Sequence, residues 1–211
     1  MEAYKYRQLF ADMITDWRKK WKEDVPFIWV QIANLFPPAE QPAPSYLAEL
    51  RESQHTTLSL PRTAEVITID IGEANDIHPK NKQDVGRRMG LAAEKIAYGR
   101  DSVFTGPQFL SATTENNKMI LTMSSRGSGL VAKDRYGYVK GFSIAGEDKK
   151  FAWAKAYIEG DKIIVYNETV SKPVAARYAW SDNPGDANLY NKEGLPASPF
   201  RTDNWKGLTD K

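Results

Sequence analysis

Val66-Ile67-Thr68-Ile69-Asp70-Ile71-Gly72-Glu73-Ala74-Asn75-Asp76-Ile77-His78-Pro79 is the stretch on which the fold turns. Its first residues are apolar and β-branched, as a buried strand requires. A helical pattern opens near Asn81. A strand that leads through a turn into a helix is the unit of an open α/β sheet, and such sheets hold ligands outside the carboxyl ends of their strands. The turn carries one of the two histidines of the chain, His78, with Asp70, Glu73 and Asp76 close in sequence. A histidine held there beside a carboxylate is a candidate general base. The same segment also reads as a plain turn that caps the helix, and local sequence leaves both readings open.

Upstream, Phe10, Met13, Ile14, Trp17 and Trp21 recur at helical spacing, and Asp24-Val25-Pro26 ends that pattern. Phe27 to Ile32 is short, apolar and rich in β-formers, so it predicts a buried strand. A proline-bearing loop runs from Pro37 to Pro44. Leu47, Leu50, Gln54 and Leu58 mark a second helix that Pro61 stops, and Val66 to Ile71 predicts the second strand. Val85, Met89, Ala92 and Ile96 mark a third helix, with Gly99 at its end. The order α-β-α-β-α implies a parallel sheet with helical crossovers.

Past Val103 the period changes. Phe109–Ala112, Lys118–Met123, Tyr138–Ile144, Ala152–Ile158 and Lys162–Tyr166 are short strand-like runs separated by turn residues, as in a β-sandwich. The expected organisation is therefore an α/β domain over 1–102 and an all-β, sandwich-like domain over 103–211, joined near Gly99 to Gly106. Two parallel strands are too few for an independent sheet, and their edges would stand open. A helix that starts almost at Met1 leads to the expectation that strands are missing on the N-terminal side.

Composition narrows the functions. Net charge is +2, from 29 basic and 27 acidic residues, which leaves no electrostatic footprint for nucleic acid. Arg18-Lys19-Lys20, between Trp17 and Trp21, reads as a solvated helix face. The absence of cysteine excludes disulfides, thiolate metal sites and a cysteine nucleophile. No stretch is apolar enough to span a membrane, and Met1-Glu2-Ala3-Tyr4-Lys5 does not read as a signal peptide. No zinc, calcium or phosphate-loop spacing occurs, so neither metal nor cofactor is expected.

Several segments taken together resemble the sialate O-acetylesterases of the SGNH-hydrolase superfamily. They are Tyr4-Lys5-Tyr6-Arg7-Gln8-Leu9-Phe10, Asp16-Trp17-Arg18, Pro26-Phe27-Ile28-Trp29-Val30-Gln31, Leu50-Arg51-Glu52-Ser53-Gln54, Asp76-Ile77-His78-Pro79-Lys80-Asn81-Lys82 and Gly194-Leu195-Pro196-Ala197-Ser198-Pro199-Phe200-Arg201-Thr202-Asp203. The resemblance implies a cofactor-free carbohydrate esterase in which a serine attacks an O-acetyl ester on sialic acid. The histidine that activates the serine maps onto His78. An imidazole titrates near neutrality, so it can take the serine proton and return it to the sugar alkoxide. The resemblance also implies a periplasmic or extracellular location and an acetylated sialic acid or related glycan as ligand.

Two departures qualify it. The acid expected three residues before the histidine is replaced by Asn75, and Asp76 lies two before. In an extended segment positions two apart share a side, so Asp76 is either the partner of His78 or a turn cap. A Ser-His dyad helped by a backbone carbonyl is the alternative. The family's early Gly-x-Ser block and Trp-x-Gln-Gly-Glu-Ser-Asn-like block, which supply nucleophile and oxyanion hole, are absent. Ser45, Ser53, Ser59, Ser102, Ser124 and Ser125 lie in no such context. The expectation is the C-terminal part of an esterase, inactive alone, whose N-terminal part is its partner. The other readings are a non-catalytic carbohydrate-binding or structural β-sandwich module, and an acetylesterase for plant polysaccharide.

The remaining candidates read as structural. His55 packs its helix or faces solvent. Gln31 and Asn34 make strand-end hydrogen bonds. Arg87 and Arg88 are solvated helix positions rather than carboxylate ligands. Trp153, Tyr178 and Trp180 are β-sandwich core rather than a sugar-stacking platform.

Overall fold

The computed structural model describes residues 2–210. Its first half is built on β1 (Phe27–Val30) and β2 (Thr63–Val66), a parallel pair in the register Phe27↔Thr63 to Val30↔Val66. Three helices serve this pair: α1 (Ala3–Trp21), α2 (Tyr46–Thr56) and α3 (Lys82–Ile96). The α-β-α-β-α order is as expected, and α2 is the crossover between the strands. Among the described residues the sheet has two strands, and no helix is long and apolar enough to cross a membrane.

Each helix end has a local cause. Lys22 enters the left-handed region at φ 57°, and its N–H returns to Arg18 O. The basic residues of that last turn oppose the negative end of the helix dipole. Ser45 caps α2 by accepting from Ala48 N, and Asn81 caps α3 by accepting from Asp84 N. Gly99, at φ 67°, lets the chain turn back after α3. Arg18 is not the solvated residue expected. It donates to Val25 O at 3.0 Å and Pro61 O at 2.8 Å and pairs with Asp24, tying α1 to the turn before β2.

Both strands are shorter than their apolar runs. Beyond Val30, Gln31 N still bonds Val66 O. Then α2 intervenes: Ile32 N donates to Gln54 Oε1, and Arg51 takes the carbonyls of Ile32 and Ala33. The second strand begins and ends earlier than the predicted Val66–Ile71. Residues 67–69 are buried without a ladder, because side chains satisfy them instead. Ile67 O accepts from Arg88 and Ile69 O from Asn34. Ile67 and Ile69 then pack into the core of the following half.

That second half is β-rich. Its strands are β3 (Gln108–Glu115), β4 (Lys118–Ser124), β5 (Leu130–Ala132), β6 (Phe142–Ala145), β7 (Ala152–Trp153), β8 (Lys155–Glu159), β9 (Lys162–Tyr166), β10 (Ala175–Tyr178), β11 (Leu189–Asn191) and β12 (Phe200–Arg201). They form antiparallel sheets of order β3-β4-β9-β8 and β12-β10-β6-β7, with a β11-β5 pair. The four-stranded sheets share one core: Leu121 and Ile163 from the first meet Phe142, Ile144 and Tyr178 from the second. Burial of one such aliphatic side chain is worth roughly 1.5–3 kcal/mol. The run Ala152–Ile158, read as one strand, divides between the two sheets at Ala154, whose N–H bonds Phe142 O. The run Tyr138–Ile144 is a strand only from Phe142 onward, since Val139 instead bonds Ala156 O.

The C-terminal residues return to the first half. Ser181 O and Asp182 O accept from Arg51, Leu208 N and Thr209 N donate to Glu49, and Arg201 pairs with Glu52. These bonds cross the 102/103 division on which the two periods change.

Candidate active site

The segment that leaves the carboxyl end of β2 carries Asp76 and His78 to the surface, just ahead of α3. His78 N–H donates to Asp76 Oδ1 at 2.8 Å, and His78 Nδ1 lies 3.1 Å from the same oxygen. One carboxylate oxygen therefore holds both the backbone and the ring of the histidine. The first of these bonds, then the second, lowers the Asp76 pKa below the usual aspartate value. With Nδ1–H turned to Asp76, Nε2 is the free ring nitrogen. The His78 side chain is 82% exposed, so nothing among the described residues covers it. Asp76 both caps the turn and hydrogen-bonds the ring, so the two alternatives read from the sequence are compatible in the geometry.

The loop is clamped by its own residues. Glu73 accepts from Lys80 N at 3.2 Å and pairs with Lys80 Nζ at 3.0 Å, which lowers the Glu73 pKa and raises that of Lys80. It is also laced to the end of β1. Gly72 lies so close to Asn34 that a Cβ on it would collide with the Asn34 main chain. Phe36 N bonds Ala74 O at 2.8 Å. Asn34 Nδ2 donates to Ile69 O and to Asn183 Oδ1, and Asn183 Nδ2 to Phe36 O. The first half and the returning segment 181–183 therefore fix the histidine loop together.

The other candidates are placed elsewhere. Asp70, near His78 in sequence, turns inward. It receives a two-toothed bond from Arg88, at 2.7 and 2.6 Å, and one from Tyr190 Oη at 3.0 Å. Arg88 is 4% exposed, not a solvated helix position, because the α3 face that carries it closes over residues 67–70. Arg87 is half-exposed and pairs with Asp84. Gln31 and Asn34 are buried structural amides, as read: Gln31 Nε2 donates to Glu65 Oε1 at 2.9 Å and to Ser198 Oγ at 3.2 Å. Tyr178 is core, and its hydroxyl accepts from Leu189 N. Trp180 is buried with the Arg177 and Arg201 guanidinium groups over its ring. Trp153 does not join the core; it is 39% exposed and donates to Glu40 O at 2.9 Å.

His55 does pack its helix, with a partner that sequence reasoning missed. Its Nδ1 sits 2.8 Å from Glu65 Oε2, and Glu65 also receives Trp29 Nε1 and Gln31 Nε2. Burial pulls the His55 pKa down, but the hydrogen bond and charge of Glu65 outweigh it and the net shift is upward. The alternation within β2, which turns Ala64 and Glu65 to opposite faces, is the signal that Glu65 is available to α2.

None of Ser45, Ser53, Ser59, Ser102, Ser124 or Ser125 has a hydrogen bond to a histidine. Ser45 Oγ is spent on Asp182 and the cap of α2, and Ser125 Oγ bonds Gly127 O. Among the described residues no cluster of three His, Asp or Glu side chains could hold a metal.

The class defined so far is an α/β unit with a β-rich half, carrying a carboxylate-oriented histidine beyond the carboxyl end of its sheet. No family model matches the chain. It is 26% identical to the sialate O-acetylesterase of Mus musculus over 92% of its own length and 40% of that protein. It is 48% identical to a carbohydrate acetylesterase from Xanthomonas citri, whose solved structure superimposes with a TM-score of 0.91 over 96% of the chain and 47% of that protein. The resemblance to the sialate O-acetylesterases read from the sequence is borne out, and the relatives are carbohydrate acetylesterases. The chain spans less than half the length of either relative.

Proposed function

We propose that this chain is the His78-bearing portion of an SGNH-type carbohydrate O-acetylesterase, with the nucleophilic serine and oxyanion hole supplied by the rest of the enzyme. The observation that carries this reading is the Asp76–His78 pair on a clamped loop, with Nε2 free and solvent-facing. In this reading the serine hydroxyl approaches Nε2 and loses its proton as it attacks the acetyl carbon. Asp76 stabilises the imidazolium that forms. The imidazolium then protonates the departing sugar oxygen, and a water activated by the same nitrogen releases acetate. The open two-stranded sheet and the relatives' greater length support a partner segment at its edge. The β-rich half, sandwich-like in this reading, buttresses the histidine loop through Asp182 and Asn183.

Sialic acid is the sugar named for the mouse relative, and an O-acetylated sialic acid is the substrate that the sequence resemblance implies here. That resemblance also carries the proposal of a periplasmic or extracellular site.

The test measures acetate release from O-acetylated sialic acid and from acetylated plant polysaccharide. It compares the chain alone with the chain joined to an N-terminal half of the kind that its relatives possess. The joined protein is expected to turn over, the chain alone is not, and His78→Ala should cost about 10³-fold or more. Asp76→Asn should lower kcat by roughly 10⁴-fold while KM stays unchanged, since the residue orients the base without touching substrate. Full activity of the joined His78→Ala protein, or turnover by the chain alone, overturns the assignment.

A further inference from the structure

Pro38 and Ala39 of the proline-bearing loop help to line a cleft of about 350 Å³ in the β-rich half, and nothing in the proposed chemistry accounts for it. Trp153 and Tyr138 line it, 39% and 53% exposed. Trp153 is fixed in place. Its indole N–H is held by Glu40 O at 2.9 Å, and its own carbonyl accepts from Asn167 Nδ2 at 2.8 Å. A ring locked before binding loses little freedom when a ligand arrives. The face of a pyranose that carries its C–H bonds is apolar and fits such a ring, while its hydroxyls need polar groups around the edge.

The charges at the edge decide which sugar. Lys140 is neutralised by Asp134 at 3.1 Å and Lys155 by Glu168 at 2.6 Å. Asp186 lines the cleft and is exposed, with no ion pair among the described residues. The unspent charge is therefore a carboxylate, which accepts hydroxyl hydrogens and repels an acid sugar.

The cleft is joined to the histidine loop through a short chain of contacts. Asn183 lines it, donates to Phe36 O at 2.6 Å, and Phe36 N bonds Ala74 O, two residues before Asp76.

We propose that the Trp153–Tyr138 cleft binds a neutral pyranose residue of an oligo- or polysaccharide, adjoining the residue whose acetyl group reaches His78. The last clause rests on the esterase reading; the binding itself does not.

The test is calorimetric titration of the chain with β-1,4-linked tetrasaccharides of glucose, xylose and mannose, and with N-acetylneuraminic acid. At least one neutral tetrasaccharide is expected to bind with Kd of about 1 mM or tighter, and more tightly than the acid sugar. Trp153→Ala should weaken it about ten-fold or more, and Tyr138→Ala and Asp186→Asn several-fold. His78→Ala should leave it unchanged. If Trp153→Ala does not fold, the two exposed substitutions and Trp153→Phe carry the test. The proposal fails if no neutral tetrasaccharide binds, if the acid sugar binds as well or better, or if those substitutions leave binding intact. Binding without esterase turnover by the joined protein sinks the esterase reading alone. Turnover without binding sinks the cleft alone.

Discussion

Replacement of Arg51 by methionine should unfold the seam between the two halves before anything else. Arg51 is fully buried, and its guanidinium donates to Ile32 O at 2.9 Å, Ala33 O at 2.9 Å, Ser181 O at 2.6 Å and Asp182 O at 3.0 Å. Burial pushes its pKa down to about 10, against a smaller opposing effect of Asp182. That depression marks a penalty of roughly 3 kcal/mol for holding the charge inside. Charge-assisted bonds contribute about 1.5–3 kcal/mol each, so four of them exceed the penalty by about 3 kcal/mol at the low end. Methionine keeps most of the volume but leaves four carbonyls without that donor. For a chain of this size about 2–4 °C of Tm is lost per kcal/mol, so Arg51→Met should melt at least about 6 °C below the wild type. Calorimetry gives the Tm, and hydrogen exchange should show early opening at 181–183. Arg51→Lys, with its charge but no fork, should recover less than half. A Tm for Arg51→Met within about 2 °C of the wild type would refute the reasoning, since it would mean that the four bonds are replaced at no cost.

Arg88→Ala strands the buried Asp70 carboxylate and should cost about 3–5 kcal/mol in denaturant unfolding. Tyr190→Phe, which removes the other Asp70 partner, should cost only about 1 kcal/mol; equal effects would contradict the pairing at 2.6 Å. The raised His55 pKa gives stability that is full below the unfolded value of 6.5 and is lost as pH rises through the folded value. The wild type should therefore lose more Tm than His55→Gln between pH 5.5 and 8.5. The difference stays under about 1 kcal/mol because over a third of the ring is exposed; parallel profiles would dismiss the His55–Glu65 contribution. Gly72→Ala pushes a methyl into Asn34 and should cost about 1–3 kcal/mol. A crystal structure of that variant should show the histidine loop displaced from the end of β1.

Local pattern made much of the fold legible. The three helices sit where 3.6-residue periodicity, Ser45, Asn81 and Gly99 mark them, because periodicity and caps are properties of a few neighbouring residues. The hairpins at Asn116 and Gly160 follow their turn residues, both at positive φ. The strands β10, β11 and β12, and the break at Ala154, left no such mark. They are short and take their pairing from partners far away in the chain. The run Val66–Ile71 looked like a strand because burial was legible in it. Its hydrogen-bond partners, Arg88 and Asn34, were not.

The sequence by itself determined the α/β-then-β order, the place of Asp76 and His78 on the turn after the second strand, and the resemblance to the sialate O-acetylesterases. Each depends on residues adjacent in the chain or on a contiguous motif. Only the tertiary structure decided that Asp70 belongs to Arg88 and Tyr190 rather than to His78, and that Glu65 holds His55. The same holds for Arg51, which ties both halves behind the histidine loop, and for Trp153, held at the surface of a cleft. A carboxylate or a guanidinium carries no sign of its partner along the sequence. Which charge it meets, and whether water is present, is settled when distant segments pack.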